Sequence, residues 1–346
     1  MSGSVDQELV RLAETVFGGR RREQPGFDGE LWDDLEKTGL ARLTLPDEAG
    51  GSGGAVTDLA AVLVEAGAAA ARVPLVETDL LAGWLAHAAG LAVPAGPLTA
   101  AVADLTVHAG GSGVTVSGTL PRVPWARCVA AIVVLCGEHV VLLDPAAVRI
   151  VQGVNLAEEP RDTVTALDTT VAPGAVAAAP PGAAAQLRLR AALGRAALLA
   201  GAAREALAAS VRYAGERVQF GRPIGRFQAV QQQLAIAAGE VAAARAAVDA
   251  AARVAHRHGF AADPTAFAVA VAKSRAGEAA GSVARIAHQV HGAIGVTREH
   301  ALRLVTTRLW AWRDEDGTQA QCNEAIGARV LAVGADGLWP LVTGAP

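Results

Sequence analysis

The stretch YAGERVQFGRPIGRFQ, residues 213–228, ends a long alanine-rich helix in a turn that combines glycine and proline with three arginines. A turn needs glycine and proline, but it does not need that density of arginine. Guanidinium groups held beside Phe220 suit a phosphate that carries an aromatic ring able to stack. An ordinary solvated turn is the alternative interpretation of the same residues.

Around this turn the sequence predicts a helical bundle. Apolar residues recur every three to four positions in four alanine-rich segments, which indicates helices over 187–217, 226–257, 263–293 and 299–334. On the first of these, Ala192, Arg195 and Ala196 share a face on which small side chains would permit close helix packing. A bundle without any site is the simpler interpretation.

The pattern of apolar residues divides the rest of the chain into a helical part and a strand part. Residues 5–90 have helical periodicity, interrupted by the glycine-rich loop LPDEAGGSGG at 45–54. From about 96 to 180 the pattern changes to strands, including two apolar runs around a Gly-Glu-His turn, and a proline-rich connector follows. We therefore predict an α-helical domain over 1–95, a β-barrel or sandwich domain over 96–182 and a four-helix bundle over 183–346.

Two further stretches carry residues that a plain bundle does not require. QVHGAIGVT, residues 289–297, breaks a helix with two glycines, which permit close backbone approach to a ligand but also commonly cap helices. WAWRDEDGT, residues 310–318, places three carboxylates after two tryptophans. A charge run is usually a solvated face, yet apolar neighbours could tune one carboxylate for general-base chemistry.

Composition excludes several classes of function. A formal net charge of −4 does not suit a nucleic-acid binder. The longest uncharged stretch, residues 80–103, is interrupted by His87, Pro94 and Pro97, so no membrane span is predicted. The acidic amino terminus predicts no export signal, and three cysteines without metal-ligand spacing suit a reducing compartment. We expect a cytoplasmic protein.

Taken together, these stretches resemble the acyl-CoA dehydrogenase family over essentially the whole chain. Residues 216–231, ERVQFGRPIGRFQAVQ, are similar to the family signature ReR-x-QFG-r-pi-x-x-FQAVQ. Residues 289–295 resemble its Q-hydrophobic-x-GGxG segment with Ala293 in place of the second glycine, and the similarity continues through Thr297-Arg-Glu-His300. Residues 45–54 resemble its P-E-x-x-G-G-x-G loop, whereas the β domain matches by texture only.

The resemblance implies FAD as the cofactor and an assembly of dimers of dimers. In relatives, the residues matching Arg217, Phe220 and Gln228 contact the adenine and pyrophosphate portion of a FAD bound mainly to a neighbouring subunit. Gln289 and Gly292 would hold the same cofactor from the opposite protomer, so the two stretches are expected to meet across a protomer boundary. The full candidate cofactor set is Arg217, Gln219, Phe220, Gln228, Gln289, Gly292, Trp125 and Thr318.

The resemblance also implies the reaction, in which a carboxylate removes the α proton of an acyl-CoA while hydride leaves the β carbon for the flavin. Many relatives use a glutamate before Gly-Thr, and this sequence has Asp316 there. Aspartate is one methylene shorter, and a displacement of about 1 Å can cost on the order of a hundredfold in rate. Glu315 is the second candidate, because it would point about 100° away on a helix. A further branch places the base near residues 190–192, where this chain offers no carboxylate.

Two departures from the family pattern leave alternatives open. The T-E-P-x-x-G-S-D segment of relatives is absent between residues 97 and 144, and Trp125 stands in a region that lies beside the flavin in many relatives. Trp125 could stack near the isoalloxazine or could equally be a core residue. Arg190 is the nearest arginine to the position that grips CoA in relatives, slightly out of register.

Three functions follow from these observations. The first is an FAD-dependent acyl-CoA dehydrogenase of lipid metabolism that passes electrons to electron-transfer flavoprotein or a similar acceptor. The second is a non-catalytic or half-site subunit of a heteromeric acyl-CoA dehydrogenase, as in the smaller partner subunits of actinobacterial enzymes that this chain resembles. The third is a flavoprotein that acts on a substrate other than a CoA thioester.

Overall fold

A computed structural model describes residues 7–18, 26–110, 113–172, 174–297 and 299–343. Pro173 of the predicted connector and Arg298 of the final similar segment lie outside this described part. The described chain runs from helices through strands to helices, as predicted. The helices are α1 (Gln7–Phe17), α2 (Gly29–Lys37), α3 (Val56–Ala68), α4 (Trp84–Ala88), α5 (Ala183–Glu216), α6 (Gln228–His258), α7 (Asp263–His291), α8 (Leu302–Arg313) and α9 (Gln319–Thr343).

The strands between α4 and α5 form two four-stranded sheets, with strand orders β1-β4-β5-β8 and β2-β3-β7-β6. Apolar side chains from both sheets, among them Val116, Ile132 and Val164, share one core, so this part is a sandwich. The strands are β1 (Leu98–Val102), β2 (Thr106–Gly110), β3 (Gly113–Pro124), β4 (Ala131–Cys136), β5 (His139–Leu143), β6 (Arg149–Val151), β7 (Arg161–Val171) and β8 (Val176–Ala178). A short hairpin of β9 (Val218–Gln219) and β10 (Arg222–Pro223) follows α5.

The apolar runs predicted to form a hairpin are β4 and β5, which pair antiparallel with Cys136 opposite His139. The proline-rich connector that closes the β domain contains one short strand, β8, which pairs with β5. Backbone pairing at a sheet edge overrides the weak strand propensity of a Val-Ala-Ala segment.

By compactness the chain forms two units. The helical unit takes in the described parts of Met1–Gln24, Val56–Ala71 and Ala192–Pro346, and the sandwich unit those of Pro25–Ala55 and Arg72–Ala191. The three-domain bounds at residues 95 and 182 stay a prediction.

Within the helical unit, α3 packs directly on α5 through glycine. A Cβ atom on Gly67 would lie 2.1 Å from the carbonyl oxygen of Leu198, and one on Gly201 would lie 1.9 Å from that of Val64. Such distances are too short for any side chain, so both positions require glycine. Glycine at these two positions lets the helix backbones approach closely.

The fourth predicted helix, 299–334, is wrong as a single element. The structure has two helices there, α8 and α9, separated by residues 314–318. Asp316 and Gly317 have φ angles of 56° and 104°, which no helix contains. The apolar periodicity continues on both sides of the break and so conceals it.

Among the described residues, α9 is the one helix with the length and composition of a membrane span, with a mean hydropathy of 1.3 and none of that window buried. Gly334 interrupts its helical backbone at φ 68° and ψ −177°, and Pro340 lies in its last turns. The uninterrupted part before Gly334 is therefore shorter than the roughly 20 residues that a span requires.

Candidate active site

The three carboxylates of residues 310–318 lie between α8 and α9, in residues 314–318, which we call the carboxylate turn. Asp316 takes a left-handed backbone conformation, which costs most non-glycine residues about 1–3 kcal/mol. Thr318 accepts a hydrogen bond from the Gln321 N–H at 3.3 Å, and the Gln321 side chain accepts one from the Thr318 N–H at 2.9 Å. This reciprocal capping box starts α9 and gives the candidate cofactor residue Thr318 a capping role.

Both candidate bases contact one buried cation that the sequence analysis did not assign to the site. The Nε atom of Arg195 donates to Asp316 Oδ2 at 2.8 Å, and its Nη2 lies 3.7 Å from Glu315 Oε2. The Arg195 side chain is 5% exposed and that of Asp316 is 27% exposed. The signal that could have identified Arg195 was a charged residue on the small apolar face of α5.

The turn after α5, residues 217–228, which we call the arginine corner, is a β-hairpin. Gln219 pairs with Arg222, and the two residues between them, Phe220 and Gly221, have φ angles of 51° and 80°. A two-residue hairpin turn of this type needs positive φ at both positions, which suits glycine but not phenylalanine. The phenyl ring of Phe220 is nevertheless 92% exposed. A strained backbone that presents an exposed aromatic ring is typical of a binding site.

The other predicted residues of the arginine corner, Arg217, Gln219 and Gln228, are also exposed. The rings of Phe227 and Phe220 lie edge-on with centroids 6.1 Å apart. The Arg222 guanidinium lies 4.5 Å from the centroid of the Phe227 ring. The arginine corner thus offers cations, amides and an aromatic face together, which is the donor set that an adenine and a pyrophosphate require.

The glycine break, residues 289–295, covers the last turn of α7 and the residues that follow it. Gly292 has φ 63° and ψ −147°, a conformation accessible essentially to glycine alone, and its N–H caps the helix by donating to His288 O. Gln289 is exposed on the last turn of α7. The capping interpretation is therefore correct for Gly292, and it leaves Gln289 available to a ligand.

Within one chain, the last turns of α5, which lead into the arginine corner, contact the glycine break. The rings of Tyr213 and His291 stack with centroids 4.4 Å apart, and the His300 ring lies 5.0 Å from that of His291. A cavity of about 220 Å³ lies beside them, lined also by Glu216. The meeting of the two stretches does not itself require a protomer boundary.

His291 holds this contact in its neutral form. Its Nδ1 lies 2.8 Å from the Ala287 carbonyl, which can only accept, so Nδ1 carries the proton. Within the described part of the chain, its buried Nε2 has no hydrogen-bond partner. Burial lowers the pKa of His291, with a smaller contribution from His300, while the bond to Ala287 raises it.

Trp125, in the sandwich unit, is a packed residue. It is 3% exposed, has a left-handed φ of 58° and lies 6.5 Å from Phe27 in an edge-on ring contact. Its ring therefore offers almost no free face for stacking in this conformation, which favours the core role over the flavin role.

Arg190 also belongs to the packing of the sandwich unit. Its guanidinium lies 4.2 Å from the centroid of the Trp84 ring. Burial lowers the pKa of Arg190 to about 9, although Asp79 opposes the shift. Burial raises the pKa of Asp79 to about 6, although its carboxylate accepts hydrogen bonds from the hydroxyl and the N–H of Thr44. Because its guanidinium is half-buried and stacked on Trp84, Arg190 is not an exposed cation that could bind CoA in this conformation.

The carboxylate turn and the arginine corner are far apart in one chain. Arg195, which contacts Asp316, and Glu216, which adjoins Arg217, are separated by 21 residues of the continuous helix α5. At a rise of 1.5 Å per residue, they lie about 30 Å apart along the helix axis.

Comparisons with known proteins agree with these features. Family models for the N-terminal and C-terminal domains of acyl-CoA dehydrogenases match residues 4–91 and 185–331. The chain is 35% identical over 285 residues to the acyl-CoA dehydrogenase IpdE2 of Mycolicibacterium smegmatis, with 82% of each chain covered. It is 31% identical over 338 residues to the acyl-CoA dehydrogenase FadE27 of Mycobacterium tuberculosis, with 85% of this chain and 88% of the relative covered.

Solved structures are similar over nearly the whole chain. A chain of the ChsE4–ChsE5 complex from Mycobacterium tuberculosis superposes with a TM-score of 0.85 at 25% identity, with 97% of this chain and 100% of that chain covered. A chain of a Tcur3481–Tcur3483 steroid ACAD variant has a TM-score of 0.79 at 27% identity, with coverage of 95% and 98%.

Proposed function

The chain belongs to the acyl-CoA dehydrogenase family of FAD-dependent oxidoreductases, and from this premise we propose that it dehydrogenates an acyl-CoA thioester with Asp316 as the base. The observation that carries the assignment is the carboxylate turn. Asp316 lies directly before Gly317-Thr318, has a left-handed backbone conformation, and pairs through its carboxylate with a buried arginine. Pre-organisation of this kind is what a general base requires.

In the proposed reaction, the bond between the α carbon and its hydrogen breaks, and the proton passes to the Asp316 carboxylate. Bound FAD would supply the acceptor for the hydride of the β carbon, and the product would be the enoyl thioester. Arg195 stabilises the carboxylate while it is charged and limits its rotation. Glu315 lies farther from the same guanidinium, at 3.7 Å, and stays the second candidate.

The arginine corner and the glycine break would hold the cofactor. Arg217 would pair with the pyrophosphate, and Phe220 would stack on the adenine. Gln219, Gln228 and Gln289 would supply amide hydrogen bonds, and Gly292 would allow the backbone to approach closely.

The separation along α5 supports a cofactor shared between chains. The pyrophosphate lies near the middle of FAD, so a flavin placed beside Asp316 would have to span about 30 Å to reach the Arg217 of its own chain. An extended FAD is too short for this. We therefore propose that the arginine corner of one protomer serves the cofactor of another, in a dimer or a dimer of dimers.

The direct test is the absorption spectrum of the purified protein during titration with acyl-CoA thioesters. The proposal expects bound FAD that bleaches with at least one thioester. The panel includes steroid-derived and fatty thioesters, because one similar structure is a steroid enzyme. If the bound FAD does not respond to any CoA thioester but bleaches with another substrate, the third function is favoured, a flavoprotein that acts on a substrate other than a CoA thioester.

A half-site subunit is the second candidate, and the Arg195 contact favours it. A carboxylate that is ion-paired to a buried guanidinium must give up part of that contact when it takes a proton. Similarity to a chain of the ChsE4–ChsE5 complex points in the same direction. A colourless protein that gains flavin only when it is co-expressed with a partner chain would support this role, and stoichiometric flavin in the isolated protein would reject it.

The remaining assignments are proposals of the same kind. Electron-transfer flavoprotein or a similar acceptor would reoxidise the flavin. Cys128, Cys136 and Cys322 are free thiols, which suits the proposed cytoplasmic compartment.

A further inference from the structure

A buried lysine lies beneath the carboxylate turn. Lys273, on α7, is 1% exposed and is the largest fully buried side chain in the described part of the chain. The sequence contains one other lysine, Lys37, whose side chain is 74% exposed. Burying an ammonium group is costly unless it is fully hydrogen-bonded, so its position calls for a specific reason.

The ammonium group of Lys273 bridges the two ends of the carboxylate turn. Its Nζ donates to the carbonyl of Arg313 at 2.8 Å and to that of Gly317 at 2.6 Å. Arg313 is the last residue of α8, where carbonyls have no partner within the helix. One side chain from α7 therefore fixes the backbone on both sides of Asp316.

The surrounding charges agree with this arrangement. Burial lowers the pKa of Lys273, the nearby carboxylates of Asp316 and Asp314 raise it, and Arg195 lowers it further. The carboxylate turn thus lies between two buried cations. Arg195 contacts the Asp316 carboxylate, and Lys273 contacts the backbone.

We infer that Lys273 is a positioning residue that clamps the carbonyls of Arg313 and Gly317 and thereby holds Asp316 in its left-handed conformation. The inference rests on the proposed function in one respect, that Asp316 is the base. The compact ammonium group fits between two carbonyls, whereas the planar, wider guanidinium of arginine does not. Arginine should therefore not replace it.

The test uses Lys273→Met and Lys273→Arg in the full chain. Ser274→Ala is the matched control, because Ser274 is also buried on α7 and bonds Asn323 of α9 at 2.5 Å without contacting the carboxylate turn. In the FAD-free protein, both Lys273 variants should exchange the amide hydrogens of residues 313–318 faster than Ser274→Ala does. In the FAD-loaded protein they should lower kcat about a hundredfold with KM little changed.

The outcomes separate this inference from the proposed function. Unchanged amide exchange and unchanged kcat in Lys273→Met would overturn the inference, and so would full rescue by Lys273→Arg. Faster exchange with full activity in both Lys273→Met and Asp316→Asn would leave the clamp in place but remove Asp316 as the base.

If the Lys273 variants do not fold, the wild-type protein decides the question. Labelling with ¹⁵N-lysine gives two ammonium signals, because the chain has two lysines. The inference expects one with slowly exchanging protons, broadened or shifted in Gly317→Ala, which strains the same turn. Two rapidly exchanging ammonium groups would overturn it.

Discussion

The arginine corner and the carboxylate turn lie in the same unit. The corner follows the end of α5, and the turn contacts Arg195 about six helical turns earlier. The two differ in how far their residues are exposed. In the arginine corner, Phe220 is 92% exposed despite a strained backbone. In the carboxylate turn, Asp316 is held by Arg195, and Lys273 bonds the backbone on both sides of it. The turn is complete within one chain, whereas the corner presents its residues outward. The difference supports the proposal that each chain supplies its own base and that the FAD is shared between chains.

The largest effect should come from the carboxylate turn. Asp316→Asn keeps the size of the side chain and removes the proton acceptor, so we expect flavin bleaching by acyl-CoA to slow by about 10²- to 10⁴-fold. Stopped-flow absorbance measures this rate. Glu315→Gln is the control and should bleach nearly as fast as the wild type. A large loss confined to Glu315→Gln would transfer the role to Glu315.

A smaller loss is expected from the arginine corner, and it should affect binding rather than chemistry. Arg217→Ala removes a charge-assisted hydrogen bond and should weaken FAD binding by about 10- to 100-fold. Titration of the FAD-free protein with FAD measures the affinity. Sites that are saturated with FAD should still bleach at the wild-type rate. The control is Arg226→Ala, which removes another exposed arginine of the arginine corner and should bind FAD normally. Equal losses of affinity in both variants would show that the corner contributes only its overall positive charge.

The smallest effect is a pH dependence where the corner meets the glycine break. Because burial lowers the pKa of His291, the unfolded chain takes up this proton more readily than the folded protein does. The stability that neutral His291 contributes is therefore present above about pH 6.5 and is lost as the pH falls through the lower folded pKa. We expect His291→Gln to reduce the loss of Tm between pH 7.5 and 5.5, by an amount equivalent to about 1 kcal/mol or less.

The matched control for this prediction is His258→Gln, at the exposed end of α6. His291→Gln should differ from this control in the pH dependence of Tm. The raised pKa of Asp79 acts in the opposite direction, increasing stability as the pH falls from about 6 towards 4, and it is common to all these variants. An identical pH dependence in His291→Gln and the wild type would show that this contact does not depend on a neutral histidine.

Local sequence signals predicted the parts of the site that backbone geometry requires. The glycines and arginines of residues 213–228 mark the hairpin, and Gly292 marks the end of α7. These signals work because a left-handed or mirror-image backbone conformation restricts which residues can stand there. The β4–β5 hairpin was predictable because two apolar runs flank a two-residue turn.

Long-range pairing was not predictable from local pattern. Arg195 and Lys273 are single charges inside apolar stripes, and their partners lie 40 or more positions away in the chain. The carboxylate turn was read as helix because apolar periodicity continues on both sides of Asp316. Thr318 and Trp125 were assigned to the cofactor by resemblance, whereas the structure gives them capping and packing contacts that only the folded neighbourhood defines.

Complementation between Arg217→Ala and Asp316→Asn tests directly whether the FAD is shared between chains. The two variants are co-expressed with different affinity tags, the doubly tagged protein is isolated, and bleaching is measured at limiting FAD. If each corner serves the cofactor of its neighbour, one site of a mixed dimer has an intact base and an intact corner, so about half of its sites should bleach at the wild-type rate although neither parent does. Mixed dimers no more active than the parents would contradict the shared cofactor.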